Sequence, residues 1–137
     1  MRLMFSWPIA LVLFAALQLG GCQGDEPALD GTQWKLVAWS VSASKATDFE
    51  ITAQFADGRI VGKSAVNRYS GSYQTGPRST FATGQIAGTM MAGPEPEMRA
   101  EQAYLALLAQ ARSFKATPDK LALLDAGGSE LLVYSPE

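Results

Sequence analysis

Side-chain catalysis needs groups of matched acidity within reach of one another, and this chain offers few. Among its 137 residues there is no histidine and a single cysteine, Cys22. The commonest general base and transition-metal ligand is therefore missing. A lone thiol also argues against zinc and iron–sulfur sites, so neither metal nor cofactor is expected. Ser70-Gly71-Ser72 is not a Gly-x-Ser-x-Gly nucleophile elbow, and no imidazole can serve it as base. Two carboxylate pairs, Glu95 with Glu97 and Asp48 with Asp57, could in principle do acid–base work. Nothing in their placement suggests a shared cleft, and Glu95 and Glu97 read more simply as charges in the first turn of a helix. Gly58, Gly62, Gly71, Gly76, Gly84 and Gly88 fall at strand ends, as turns and bulges would, and form no phosphate loop. The chain is expected not to be an enzyme and no catalytic residue is assigned; a cell-wall or lipid hydrolase is kept as an alternative.

The thiol of Cys22 has surroundings that give it a task. Met1-Arg2 supplies a short positive start, and Leu3 to Leu19 form an apolar run interrupted only by Ser6, Pro8 and Gln18. This reads as a secretion signal over residues 1–21, a membrane-spanning signal anchor being the alternative. Leu19-Gly20-Gly21-Cys22 resembles the bacterial lipobox, in which small side chains flank the cut and the Cys thiolate attacks diacylglycerol. Acylation of Cys22 is the expected outcome, and several acyl chains hold a protein at a membrane permanently. Residue 23 is Gln, not the Asp that typically retains such proteins at the inner membrane. The expected place is the cell envelope, on the periplasmic face of the outer membrane if the source is Gram-negative. Residues 22–28 lack apolar periodicity and read as a tether.

Removal of residues 1–21 leaves 116, enough for one domain without metal or disulfide. Formal net charge is −2, and Lys35, Lys45, Arg59, Lys63, Arg68 and Arg78 are spaced singly. Nucleic-acid binding needs clustered positive charge, so none is expected.

From Gly31 onward, short period-2 runs alternate with turn residues. Trp34, Leu36 and Ala38 share the inward face of a first strand, and Ile51, Ala53 and Phe55 that of a second. Asp57-Gly58 suits a tight hairpin returning through Arg59–Gly62. Further strands are predicted over 69–74, 79–83, 85–89, 114–117, 121–125 and 131–134, with Gly127-Gly128 as a last turn. Residues 97–112 break the pattern. There Met98, Leu105, Leu108 and Ala109, broadened by Tyr104 and Leu107, predict an amphipathic helix, with Arg112 and Lys115 at its C-terminal end. The fold class is α+β: a strongly curved antiparallel sheet or partial barrel of about seven or eight strands packed on one α-helix.

Several segments resemble one family in order. Leu29-Asp30-Gly31-Thr32-Gln33-Trp34-Lys35-Leu36 is similar to the Leu-x-Gly-Thr-x-Trp-x-Leu opening of the META domain family, the HslJ-like envelope proteins. Phe55-Ala56-Asp57-Gly58 with Gly62 resembles its Phe-x-x-Asp-Gly hairpin, and Asn67-Arg68-Tyr69-Ser70-Gly71-Ser72-Tyr73 its Asn-x-aromatic-x-Gly-x-Tyr segment. Thr89-Met90-Met91-Ala92, Glu101 to Leu105 and Leu121 to Asp125 complete the series, placing the domain at 29–137. Many members carry cysteines where this chain has Val66 and Gly93. If those are bonded partners in relatives, the bond is dispensed with here and Val66 must compensate through burial.

The family pattern keeps Asn67, read here as a turn residue bonded to its own backbone rather than a ligand contact. Tyr69, Tyr73, Trp34 and Trp39 could line a groove, although strand aromatics more often fill a core. The resemblance implies a non-enzymatic envelope lipoprotein, linked to stress resistance or envelope integrity, that binds another envelope component. A pilot-like alternative would escort an outer-membrane protein by holding an extended segment or acyl chain in the curved sheet, edge-strand addition being a ready mode.

Overall fold

In the computed structural model, residues 28–137 are described. The alternating runs become eight strands: β1 (Thr32–Trp39), β2 (Thr52–Ala56), β3 (Arg59–Lys63), β4 (Arg68–Gly76), β5 (Thr80–Gly88), β6 (Ser113–Thr117), β7 (Lys120–Leu124) and β8 (Glu130–Pro136). Each pairs antiparallel with its neighbour in sequence, and β8 returns to β1, so the expected curved sheet closes into a barrel. Among the described residues a single α-helix, α1 (Glu95–Gln110), occurs, and it joins β5 to β6. The β2–β3 turn has the left-handed backbone its sequence predicts, with φ of 54° at Asp57 and 72° at Gly58. In the last hairpin, Asp125 Oδ1 accepts from the N–H groups of Gly127 and Ser129, both at 2.9 Å.

Three sequence expectations need correction. The segments 79–83 and 85–89 are one strand, because Gly84 is a bulge and not a break. Gly71 pairs with Ile86 and Tyr73 with Thr83, which leaves Ser72 facing both Gly84 and Gln85. A Cβ on Gly84 would lie 2.2 Å from Ser72 Oγ, so a larger residue there would have to push that hydroxyl aside.

Ala38 does not follow Trp34 and Leu36 inward. Pairing of β1 with β8 shifts register between Leu36 and Ala38, and both Val37 and Ala38 end up exposed. Beyond the shift, Trp39 is half-buried.

The helix starts and ends two residues earlier than its periodicity suggested. Pro96 sits in the first turn, where its missing N–H has no helical partner to lose. The buried face is Ala100, Tyr104, Leu107 and Leu108, continued by Ala111; Met98 and Ala109 are exposed. Arg112 lies just beyond the helix, yet its Nη1 donates to the carbonyls of Ala109 and Ala111, both at 2.8 Å. Lys115 belongs to β6.

Tyr104 explains why this helix is part of the barrel's core. Its hydroxyl lies 2.6 Å from that of Tyr69 on β4 and 3.0 Å from that of Tyr134 on β8. Tyr69 donates its proton to Thr52 O at 2.7 Å, so Tyr104 donates to Tyr69 and Tyr134 to Tyr104. Three buried hydroxyls thus satisfy one another in a chain ending on a β2 carbonyl. Around them pack Leu36, Phe55, Ile60, Phe81, Leu121 and Leu132, all essentially inaccessible.

Candidate functional site

Cys22 lies outside the described residues, as do the signal segment and most of the tether. The remaining chemical candidates are not assembled into a reactive set. Asp48 lies in the β1–β2 loop and Asp57 in the β2–β3 turn, beyond opposite ends of β2. Glu95 pairs with Arg99 one turn along the helix. Glu97 Oε2 is buried without a hydrogen-bond partner. A carboxylate at that helical position can reach back to the N–H of the capping residue, but the capping residue here is Pro94, which has none. Ser70 Oγ lies 3.4 Å from Arg59 Nη2 on the barrel exterior, with no base beside it.

Asn67 does not bond to its own turn as expected. Its amide Oδ1 accepts from Met91 N–H at 2.8 Å and Thr89 Oγ1 at 2.9 Å, and its Nδ2 donates to Glu101 Oε2 at 2.8 Å and Met91 O at 3.1 Å. Glu101 Oε1 also accepts from the Asn67 backbone N–H and lies near Ser64 Oγ, both at 2.7 Å. Burial acts on the Glu101 carboxyl to raise its pKa, but hydrogen bonds from Ser64, Asn67 and the backbone of Asn67 and Val66 together outweigh it and lower the value. With both ends of its amide saturated, Asn67 is a clasp between the β3–β4 turn, the Thr89–Met91 segment and α1. It has no bonding capacity left for a ligand.

The aromatic candidates divide. Trp34 and Tyr69 are buried in the core, and Tyr73 packs edge-on against Phe55 at 4.9 Å between ring centres. Burial pushes the phenols of Tyr69, Tyr104 and Tyr134 well above their usual range. Trp39 instead borders a cavity. Together with Val41, Phe49, Pro96, Ala100 and Ala103 it lines a largely apolar cleft of about 380 Å³ between the β1–β2 loop and the first half of α1. Trp39 and Phe49 stand 6.0 Å apart at 43°, and Trp39 Nε1 donates to Ser44 O at 2.9 Å. The indole N–H is therefore satisfied internally, and what the ring offers the cleft is apolar. The Glu95–Arg99 ion pair borders the same cleft. Its volume lies in the range of small-molecule sites, and its lining suits an apolar group with polar contacts at the rim.

Sequence reasoning placed Trp39 among the groove candidates but missed Phe49 and the helix residues opposite. Residues 41–50 lack periodicity, and Ala100 and Ala103 are too small to stand out on a helix. The only available signal was an aromatic inside an otherwise polar loop.

Among the described residues the architecture is a closed antiparallel barrel interrupted by one helix, with an apolar cleft beside Trp39. The META domain family model matches residues 27–137, and the chain belongs to that family. Among solved structures it is similar to a protein from Burkholderia xenovorans determined by NMR, with 26% identity and a TM-score of 0.69, over 83% of this chain and 87% of that one. A DUF4847 family protein from Bacteroides vulgatus shares the fold at 14% identity and a TM-score of 0.56, over 82% of this chain and 96% of that one. No curated protein matches the chain.

Proposed function

We propose that this META-domain protein is a non-enzymatic envelope lipoprotein, anchored through acylated Cys22, that takes an apolar group of another envelope component into the Trp39–Phe49 cleft. The observation that carries the reading is the cleft itself: apolar walls with one ion pair at the edge bind without doing chemistry. The lipobox-like run before Cys22 supports the anchor, and the family membership is in keeping with an envelope role linked to stress resistance. In the pilot-like alternative an escorted outer-membrane protein fills the same cleft with one of its own apolar side chains.

A photo-crosslinking residue at Ala103, in the full chain in its native cells, tests both. Recovery of one recurrent species from Ala103, and not from the distant Asp119, supports the reading; a single outer-membrane protein as that species favours the pilot role. Equal labelling at the two positions, or none at Ala103, overturns it.

A further inference from the structure

The β1–β2 loop borders a second hollow beside the apolar cleft. Trp39, Val41 and Ser44 line both the cleft and a neighbouring space of about 280 Å³, whose other walls include Lys45 and Thr47. The two hollows adjoin along these three shared residues. One is apolar; the other is edged by an ammonium group and two hydroxyls.

The hydrogen bonds of the loop give the second hollow a sign. Its carbonyls are already engaged: Ser44 O accepts from Trp39 Nε1 at 2.9 Å, Lys45 O from Asp48 N–H at 3.1 Å and Ala46 O from Phe49 N–H at 3.2 Å. Its side-chain donors are not. Among the described residues, Ser44, Lys45 and Thr47 make no side-chain hydrogen bond, and Lys45 makes no ion pair. Arg99, the cation of the apolar cleft, is held by Glu95. Lys45 is therefore the uncompensated charge bordering the two hollows.

We propose that this double site takes a single-chain anionic amphiphile, with its alkyl chain in the Trp39–Phe49 cleft and its carboxylate at Ser44, Lys45 and Thr47. The proposal rests on the reading of the cleft as a binding site and gives its ligand a chemistry. An ammonium only donates and an ionised carboxylate only accepts, so the two ends match. An extended peptide would bring N–H groups as well, and the loop carbonyls that could receive them are engaged. A cationic amphiphile would meet Lys45 as a like charge. The alkyl chain leaves water against Trp39, Val41 and Phe49, while Lys45, being exposed, keeps the head group at the surface.

Residues 22–137 carrying Cys22→Ser contain every strand of the closed barrel. Titrating them at neutral pH with decanoate, decanol and decyltrimethylammonium, followed by the NMR signals of the Trp39 indole N–H and the Lys45 amide, tests the proposal. Decanoate is expected to shift both signals and to bind about fivefold more tightly than decanol, with the cation weakest. Lys45→Gln is expected to remove the advantage of decanoate while leaving decanol binding and the circular dichroism spectrum unchanged. If decanol shifts Trp39 and decanoate or the cation binds no differently, or if Lys45→Gln leaves decanoate binding intact, the anionic ligand is overturned and the cleft stands. If none of the three shifts Trp39, the cleft reading falls together with the proposal.

Discussion

A Cβ on Gly93 would lie 3.5 Å from the Cβ of Val66 and 2.9 Å from both of its methyl carbons. The first distance is what a disulfide spans, and the second is closer than packed carbons tolerate. Val66 is half-buried and lies outside the core cluster, so the burial expected of it is only partial; its methyl groups occupy space that a side chain at position 93 would need. In a Cys22→Ser background, Gly93→Ala alone should destabilise the domain by about 1–2 kcal/mol through overpacking. Val66→Cys with Gly93→Cys should instead form a bond and stabilise by about 3 kcal/mol. Urea unfolding with and without reductant measures both, and no gain on oxidation would show that the two backbones cannot meet the bond's geometry.

The clasp at Asn67 makes stability depend on acid. Because the Glu101 pKa is lowered on folding, its contribution is fully present above its ordinary value of 4.5 and is lost as pH falls through the lower folded value. Glu101→Gln should flatten the loss of thermal stability in that window while lowering stability at neutral pH. Asn67→Ala, which orphans groups on Met91, Thr89 and Glu101, should cost about 2–3 kcal/mol at neutral pH. Equal acid sensitivity in wild type and Glu101→Gln would place the dependence elsewhere.

Tyr104→Phe should destabilise the fold by about 1–3 kcal/mol, since it leaves the Tyr134 hydroxyl without its acceptor inside the core. The chain's four tyrosines all have raised values, burial being the largest cause for each. For an acid whose pKa rises on folding, stability is complete below the ordinary value of 10.0 and falls as pH climbs above it. Absorbance titration should therefore show tyrosine ionising above the ordinary range and together with unfolding. A phenol titrating normally in the folded protein would contradict this.

Cys22→Ser is expected to leave the circular dichroism spectrum unchanged while releasing the protein from membranes. Mass spectrometry of the native protein should find acyl groups on residue 22, and an unmodified thiol there would refute the anchor.

The strands and their two glycine turns were legible because alternation and positive-φ turn residues are local signals. Where reading failed, the controlling contact came from elsewhere in the chain. Ala38 turns outward because of a register shift against β8, and Gly84 stays in its strand because a bulge opposite Ser72 of β4 absorbs it. The Asn67 partners lie up to 34 residues away on α1. The cleft was the least legible feature, built from a loop without period and two alanines. Val66 and Gly93 are the opposite case, their contact anticipated from a family pattern rather than from chemistry in this chain.

Strands β5 and β6 share one residue pairing, Thr80 with Ser113, and this bears on the order of assembly. Strands β2 to β5 follow one another by short connections, as do β6 to β8, and β1 joins the first group through a longer loop, so each group can form from contacts nearby in sequence. Joining them needs β1 to meet β8 across nearly the whole length of the domain, and such closures are slow. Tyr104 bonds to Tyr69 in the first group and Tyr134 in the second. The ring is therefore expected to close late, with α1 as the piece that brings its two halves into register.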